Sequence, residues 1–304
     1  MLKRFLSYVE IKTKITSTFA FLLTIAFISY KGWQIDWLRT GVFFLSMFLF
    51  DLTTTAINNY IDTKTNEQVL QFERRIALAI IYVLFGLSMA LGLYLAYLTD
   101  IVVLLLGGLC FLAGVLYTYG PVPISRQPLG EVMSGVFYGL FIPFLLLYIN
   151  MPEGTFITFE AGWESIRLEF RVVPILTVLL LSVPPVCTTA NIMLANNICD
   201  LERDIAVKRY TLPYYLGKKA LYLFAFLYYA AYASIAAMTA LRILSPVTLL
   251  TLLTIFAVQK NISIFLKRQD KAATFITSIK NYIIIMGSLT VTVFISAALQ
   301  QFGE

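Results

Sequence analysis

The sequence contains nine apolar segments, each about as long as a helix that crosses a lipid bilayer. Such a helix takes about 20 residues. The segments cover residues 15–30, 38–57, 76–98, 101–119, 132–150, 173–195, 220–241, 245–264 and 280–299. No ten-residue alternation of apolar and polar residues recurs, which argues against barrel strands. We therefore predict an all-α polytopic membrane protein with nine transmembrane helices.

Composition excludes most other classes of protein. Of the 304 residues, 59% are apolar and 13% are charged, whereas soluble domains are close to one quarter charged. Histidine is absent, which excludes haem or zinc held by histidine and any histidine general base. The three cysteines show no CxxC spacing, so a thiolate zinc site is not expected. Any metal bound by this chain is therefore expected to have oxygen ligands, which suit magnesium, manganese or calcium.

Basic residues predict the orientation of the chain in the membrane. All but five of the 23 lysines and arginines fall on the side that holds the N-terminus, the exceptions being Lys31, Arg39, Arg167, Arg171 and Arg242. The positive-inside rule then places the N-terminus in the cytoplasm and the C-terminus outside. The host membrane is predicted to be a bacterial cell membrane. The outer segment 151–172 is interpreted as either a surface-lying amphipathic piece or a solvated loop.

A stripe of polar side chains runs down the second apolar segment and beyond it. Its members are spaced by four, three, four and four positions: Asp51, Thr55, Asn58, Asp62 and Asn66. Residues at these spacings share one face of a helix. Because ionisable groups that face lipid are costly, this face is predicted to point into a bundle interior or a polar cavity.

A second stripe follows the sixth apolar segment. Asn196, Asp200, Asp204 and Lys208 are four positions apart, and Arg209 comes next. Carboxylate and amide oxygens can hold Mg²⁺, which in turn binds diphosphate. Lysine and arginine can neutralise the remaining phosphate oxygens.

Each stripe alone is compatible with polar residues that wet the end of a helix. Together they repeat one composition after two even-numbered helices, both on the predicted cytoplasmic side. We therefore interpret residues 51–75 and 188–219 as two halves of one metal–diphosphate site that opens to the cytoplasm.

The two segments resemble the Asp-rich motifs of the UbiA superfamily of intramembrane aromatic prenyltransferases. Residues 58–66 resemble its NDxxDxxxD motif, and residues 196–212 resemble NNxRDxxxDxxxGKRTL. The resemblance implies a nine-helix bundle, one transmembrane domain over residues 1–304 and Mg²⁺ as cofactor. The implied metal ligands are Asn58, Asp62, Asn66, Asn196, Asp200 and Asp204, of which Asp62, Asp200 and Asp204 are the catalytic carboxylates.

The resemblance also implies the partners of the chain. These are a polyprenyl diphosphate, an aromatic acceptor and the lipid bilayer; no nucleic acid is expected, and the oligomeric state stays open. The predicted diphosphate ligands are Asn58, Lys208, Arg209 and Arg126, the last because it is the only cation of residues 117–131. Tyr60, Tyr117 and Tyr119 lie near the motifs and are predicted to guide the acceptor and the allylic cation, because aromatic ring faces attract positive charge. The alternative is that these tyrosines pack in the protein or belong to an interface belt.

A third segment, residues 117–131, resembles the YTxGPxPIxxxxLGE stretch of 1,4-dihydroxy-2-naphthoate polyprenyltransferases. Three prolines and two glycines hold it on a non-helical path. The resemblance implies prenylation of 1,4-dihydroxy-2-naphthoate with decarboxylation, a step of menaquinone and demethylmenaquinone biosynthesis. The alternative acceptor is 4-hydroxybenzoate or another aromatic.

The first motif departs from the family pattern. Asn59 and Asn66 stand where aspartate is usual. This substitution lowers metal affinity, shifts coordination onto Glu67 or Asp51, or marks a specialised member, and the sequence does not decide among these.

The second motif also departs from the pattern. Cys199 replaces the common arginine, and without a gap Lys208 falls on the usual glycine and Arg209 on the usual lysine. The two cations are thus kept, shifted by one position.

Two further hypotheses stay open. A cation-coupled transporter would use Asp51, Asp62, Asp200 and Asp204 as an ion path. A catalytically inactive scaffold would explain the asparagines of the first motif. Within the enzyme hypothesis, the general base is unassigned.

Overall fold

The computed structural model describes residues 1–64, 69–120 and 123–302. Asn66, Glu67, Pro121 and Val122 lie outside these ranges. The helices in chain order are α1 (Leu2–Tyr8), α2 (Ile11–Tyr30), α3 (Trp37–Asp62), α4 (Arg74–Leu98), α5 (Ile101–Thr118), α6 (Gly130–Asn150), α7 (Val172–Cys199), α8 (Leu201–Ala206), α9 (Leu212–Leu216), α10 (Lys219–Ala240), α11 (Pro246–Lys267) and α12 (Ile276–Phe302). In the described ranges nine of them are long and apolar enough to cross a membrane, namely α2–α7 and α10–α12. The predicted nine-helix membrane fold is confirmed.

Local chemistry explains where several of these helices begin and end. Gly32 follows α2 with a φ of 66°, a left-handed conformation that glycine adopts freely. Asp100 caps α5, since its carboxylate accepts hydrogen bonds from the backbone N–H groups of Val102 and Val103 at 2.9 and 3.1 Å. Only Thr99 and Asp100 separate α4 from α5, as the sequence predicts.

The predicted amphipathic piece or loop at 151–172 is instead a β-hairpin. Strand β1 (Ile157–Ala161) pairs with β2 (Ile166–Phe170) in antiparallel register, with Phe159 opposite Leu168. Each strand alternates apolar and polar side chains, the period of a strand with one solvated face. Our prediction for this segment was wrong because so short an alternation is weak beside the hydropathy of the long spans.

By its internal contacts the chain divides into two compact units. Unit 1 comprises residues 1–18 and 36–125, and unit 2 comprises residues 19–35 and 126–304. In unit 1, α3 packs against α4 and α5. The rings of Phe50 and Phe111 stack with centroids 4.1 Å apart. The Tyr8 hydroxyl donates to the carbonyl of Ala56 at 3.0 Å. This bond fixes α1 to the half of α3 that is predicted to face the cytoplasm.

In unit 2, α6 and α7 approach each other almost backbone to backbone. A Cβ placed on Gly139 would lie 2.3 Å from the backbone nitrogen of Val186, so no side chain fits there. Gly139 lies in a π-helical turn of α6, Phe137–Phe141, and Val186 follows the consecutive Pro184 and Pro185 of α7. Two irregular helices thus interlock, and α7 carries the second motif at its end.

Candidate active site

The first motif occupies the last turn of α3. Asp62 is the final residue of that helix, five residues beyond the predicted end of the span. Asn58 has a buried Oδ1 that finds no hydrogen-bond partner among the described residues. Asn66 lies outside the described residues, so its predicted role as a ligand stays a prediction.

Asn59 has a structural task that the motif pattern does not suggest. Its Nδ2 donates to the backbone carbonyl of Tyr8 at 2.8 Å and to Oε1 of Glu10 at 3.3 Å. Both partners are acceptors, and a carboxylate has no donor to offer them. The local structure therefore selects an amide at this position.

The ring of Tyr60 lies near two cations of its own unit. The ammonium of Lys64 is 4.9 Å and the guanidinium of Arg74 is 5.5 Å from the ring centroid. Arg74 also donates to the carbonyls of Tyr60 and Thr63, at 3.2 and 3.0 Å. The hydrogen bonds of Arg74 hold the last turn of α3 in place. The face of the Tyr60 ring already attracts the positive charges of Lys64 and Arg74.

Asp51 is engaged in a buried ion pair. The ammonium of Lys14, 3% exposed, lies 2.8 Å from Asp51 Oδ1 and donates to the carbonyl of the same residue at 2.9 Å. The hydroxyl of Ser17 donates to Asp51 Oδ2 at 2.7 Å. Since both carboxylate oxygens accept hydrogen bonds, Asp51 is not an open ligand in place of the missing aspartates. Lys14 is likewise buried rather than solvated.

The second motif begins where α7 ends. Asn196 lies in the last turn of α7, and Asp200 links α7 to α8. The ammonium of Lys271 donates to Asn196 Oδ1 and, at 2.6 Å, to Asp200 Oδ2. Sequence reasoning missed Lys271, because it follows α11 and stands 71 positions from Asp200.

Asp204 is buried with one oxygen unsatisfied. Its Oδ1 lies 3.9 Å from Nε of Arg209, whereas its Oδ2 has no hydrogen-bond partner in the described part of the chain. Burial raises the pKa of this carboxyl above its usual range, and the nearby Arg209 offsets part of that effect. An unfilled buried acceptor suits a cation.

Lys208 adopts a left-handed conformation, with a φ of 57°. Its N–H donates to the carbonyl of Ile205 at 3.0 Å, and the N–H of Arg209 donates to the carbonyl of Asp204 at 2.8 Å. These two bonds form the Schellman motif that ends α8, a place where glycine is usual. The geometry explains why the family pattern has glycine here and keeps Arg209 beside Asp204.

The last six residues of the third segment, 126–131, belong to unit 2 and are bonded there to the second motif. The carbonyl of Arg126, in a 3₁₀ turn at Ile124–Arg126, accepts from the N–H of Tyr210 at 3.2 Å. Asn197 Nδ2 donates to Oε1 of buried Glu131 at 2.8 Å. Glu131 and Asn197 were not predicted as site residues, since neither belongs to an Asp-rich stripe.

All three tyrosines predicted to guide the substrate lie in unit 1, and Tyr60 is described above. Tyr117 belongs to the last turn of α5 and is half-buried, and Tyr119 follows that helix with its side chain exposed.

The comparison with protein families decides the identity of this fold. The model of the UbiA prenyltransferase family matches residues 18–284. The chain belongs to the UbiA prenyltransferase family. It is therefore an integral membrane protein, as the nine apolar helices of the described ranges predict.

Individual UbiA relatives differ in how much of the chain they match. A stretch of 135 residues is 30% identical to 1,4-dihydroxy-2-naphthoate octaprenyltransferase from Bacillus subtilis strain 168. It covers 44% of this chain and only 37% of that relative.

Solved structures match over nearly the whole length. One of digeranylgeranylglyceryl phosphate synthase has a TM-score of 0.65 at 18% identity, covering 97% of this chain and 98% of that chain. A UbiA homologue from Archaeoglobus fulgidus, bound to DMAPP and Mg²⁺, has a TM-score of 0.61 at 13% identity, covering 97% and 99%. At these identities the likeness shows the fold alone.

Each of the two UbiA motifs, taken by itself within its own unit, offers oxygen donors that fit a divalent cation. The unfilled acceptors, Asn58 Oδ1 and Asp204 Oδ2, are hard oxygen ligands of the kind magnesium prefers. Among the described residues, no three cysteine, aspartate or glutamate side chains lie close enough to hold a metal by themselves. An ion bound at either motif would need amide, water or phosphate oxygens as well.

Proposed function

We propose that this UbiA-family chain transfers a polyprenyl group from a polyprenyl diphosphate to 1,4-dihydroxy-2-naphthoate, which loses its carboxylate as carbon dioxide. The observation that carries the proposal is the attachment of the end of the third segment, residues 126–131, to the second Asp-rich motif. The contacts of Arg126 with Tyr210 and of Glu131 with Asn197 hold it there. The partial likeness to the Bacillus subtilis enzyme supports the same acceptor.

The reaction begins when the allylic carbon–oxygen bond breaks and the diphosphate leaves with the electron pair. Arg209, and with it Lys208 and Arg126, is proposed to neutralise the charge that develops on the leaving group. Mg²⁺, held by Asp62, Asp200 and Asp204 with Asn58, Asn66 and Asn196, would supply further electrostatic stabilisation of that group.

The allylic cation must then meet the acceptor before water does. The apolar helices provide a dry environment, which keeps water from capturing the cation. Tyr60, Tyr117 and Tyr119 are proposed to direct it, because aromatic ring faces attract positive charge. The ring of Tyr60 already draws the cations of Lys64 and Arg74.

An assay in membranes tests the proposal. The chain is given 1,4-dihydroxy-2-naphthoate, a long polyprenyl diphosphate and Mg²⁺, with and without EDTA. We expect a prenylated, decarboxylated naphthoquinol that is lost with EDTA, with Asp62→Asn and with Asp200→Asn. Asp36→Asn is the matched control, since it removes an exposed carboxylate at the N-cap of α3 that asparagine replaces well. The proposal fails if no product forms, or if the two motif variants stay as active as Asp36→Asn.

A further inference from the structure

The ammonium of Lys271 lies on two oxygens that the family pattern assigns to the metal. It donates to Asn196 Oδ1 and, at 2.6 Å, to Asp200 Oδ2. The Asp200 side chain is 19% exposed and that of Lys271 is 44% exposed, so the pair is half-buried rather than fully solvated. A lysine ammonium and a divalent ion compete for the same lone pairs, and they repel each other at such distances.

The chain positions Lys271 by a capped turn. Asp270, the residue before it, accepts hydrogen bonds at Oδ1 from the N–H groups of Ala272 and Ala273, at 3.0 and 2.8 Å. Its Oδ2 pairs with Nη2 of Arg268 at 2.6 Å. The turn is thereby fixed next to the end of α7.

An aromatic ring adds to the ammonium site. The Lys271 ammonium lies 4.9 Å from the ring centroid of Phe275, which attracts positive charge. The amide, the carboxylate and the ring come from two separate parts of the chain. They make a formed site for an ammonium rather than a chance surface ion pair.

We propose that the ammonium of Lys271 occupies the side-chain oxygens of Asn196 and Asp200 in the second motif until a divalent ion displaces it. This proposal rests on the proposed function only in taking the motif to bind a divalent ion. It differs from a purely structural salt bridge in one consequence: removal of the ammonium must strengthen metal binding. A structural salt bridge would lose stability and gain no affinity.

The first experiment is a Mn²⁺ titration of the full-length protein, followed by electron paramagnetic resonance of free Mn²⁺, without prenyl donor or acceptor. We expect Lys271→Met to bind Mn²⁺ about tenfold more tightly than the unchanged chain, within the usual range of coupling between two sites. Lys271→Arg keeps the charge and should bind Mn²⁺ as the unchanged chain does. Asp200→Asn combined with Lys271→Met should abolish the gain.

Lys267→Met is the matched control for the titration. Lys267 is an exposed lysine at the end of α11, and its loss changes the net charge equally. Equal affinity in Lys271→Met and the unchanged chain would overturn the proposal. So would an equal gain in Lys267→Met.

A second measurement needs no variant and holds even if Lys271→Met fails to fold. The unchanged chain is treated with an amine-acetylating reagent, and the modification of each lysine is followed by mass spectrometry. Addition of Mn²⁺ should increase the acetylation rate of Lys271 and leave that of Lys267 unchanged. A rate for Lys271 that does not respond to Mn²⁺ would refute the displacement. Because neither experiment contains a prenyl substrate, its failure leaves the proposed prenyl transfer untouched.

Discussion

Asn59 Nδ2 donates a hydrogen bond to the backbone carbonyl of Tyr8, 2.8 Å away, and thereby joins the end of α3 to the end of α1. The same amide reaches the carboxylate of Glu10. The UbiA pattern has aspartate at this position, and the geometry explains why this chain does not. An aspartate here would face a carbonyl and a carboxylate, and it has no hydrogen to give to either.

Asn59→Asp is therefore expected to destabilise the protein rather than to restore a metal ligand. The loss should be about 1–3 kcal/mol, the typical cost of leaving a buried acceptor, here the carbonyl of Tyr8, unsatisfied. Thermal unfolding in detergent measures it, with Glu10→Gln as the second change, because removing that charge should recover part of the loss. An Asn59→Asp protein that is as stable as the unchanged chain and binds Mg²⁺ more tightly would contradict this account.

The buried pair of Lys14 and Asp51 gives a second prediction. Breaking a buried ion pair by removing one partner typically costs about 3–5 kcal/mol, because the other charge is left uncompensated. Lys14→Met and Asp51→Asn should each lower the unfolding temperature, and the double variant should lose less than the sum. A double-mutant cycle by thermal unfolding tests this, and strictly additive losses would show that the pair contributes nothing.

Two variants of Lys208 separate the effect of backbone strain on stability from the effect of charge on substrate binding. Lys208→Gly and Lys208→Ala both remove the ammonium, but only glycine is at ease at a φ of 57°. Lys208→Gly should be more stable than Lys208→Ala by about 1 kcal/mol. If Lys208 binds the diphosphate as proposed, both variants should raise the KM for the prenyl diphosphate equally. Equal stability of the two variants would contradict the strain argument.

Asp204 is expected to cost stability in the metal-free protein. Its pKa is raised by burial, so the folded state favours the protonated form. Below the unfolded pKa of about 3.9 the carboxyl is protonated in both states, and the folded protein keeps its full stability. That stability is lost as pH rises through the higher folded pKa. Metal-free Asp204→Asn should therefore be more stable than the unchanged chain at neutral pH and equal to it in acid. Denaturation at several pH values measures the difference; a constant difference would contradict the role of burial.

Much of the fold could be predicted from the sequence because one physical requirement dominates it, namely that each span is an apolar helix long enough to cross the bilayer. Apolar length predicted all nine spans, and composition excluded a soluble protein. Hydropathy ended the predicted span at residue 57, whereas the helical spacing of the polar stripe predicted that the helix continues to Asp62, as it does. The hairpin at 157–170 was missed because ten residues of alternation are a weak signal.

The candidate site was predictable where it is local and hidden where it is not. The spacing of Asp200 and Asp204 and the glycine-like position of Lys208 are visible within one short segment. The contacts of Lys271 with Asp200 and of Lys14 with Asp51 join residues 71 and 37 positions apart, and no spacing rule reaches them. The structural role of Asn59 depends on its hydrogen bond to the backbone carbonyl of Tyr8, and only the folded structure shows that contact.

A competition between two acceptors in one reaction identifies the substrate of the chain. Equal amounts of 1,4-dihydroxy-2-naphthoate and 4-hydroxybenzoate are supplied with one polyprenyl diphosphate and Mg²⁺, and the products are identified by mass spectrometry. We expect the prenylated, decarboxylated naphthoquinol to be the dominant product, and we expect EDTA to abolish its formation. Dominant prenylated hydroxybenzoate, or no prenylated aromatic at all, would contradict the proposed transfer to 1,4-dihydroxy-2-naphthoate.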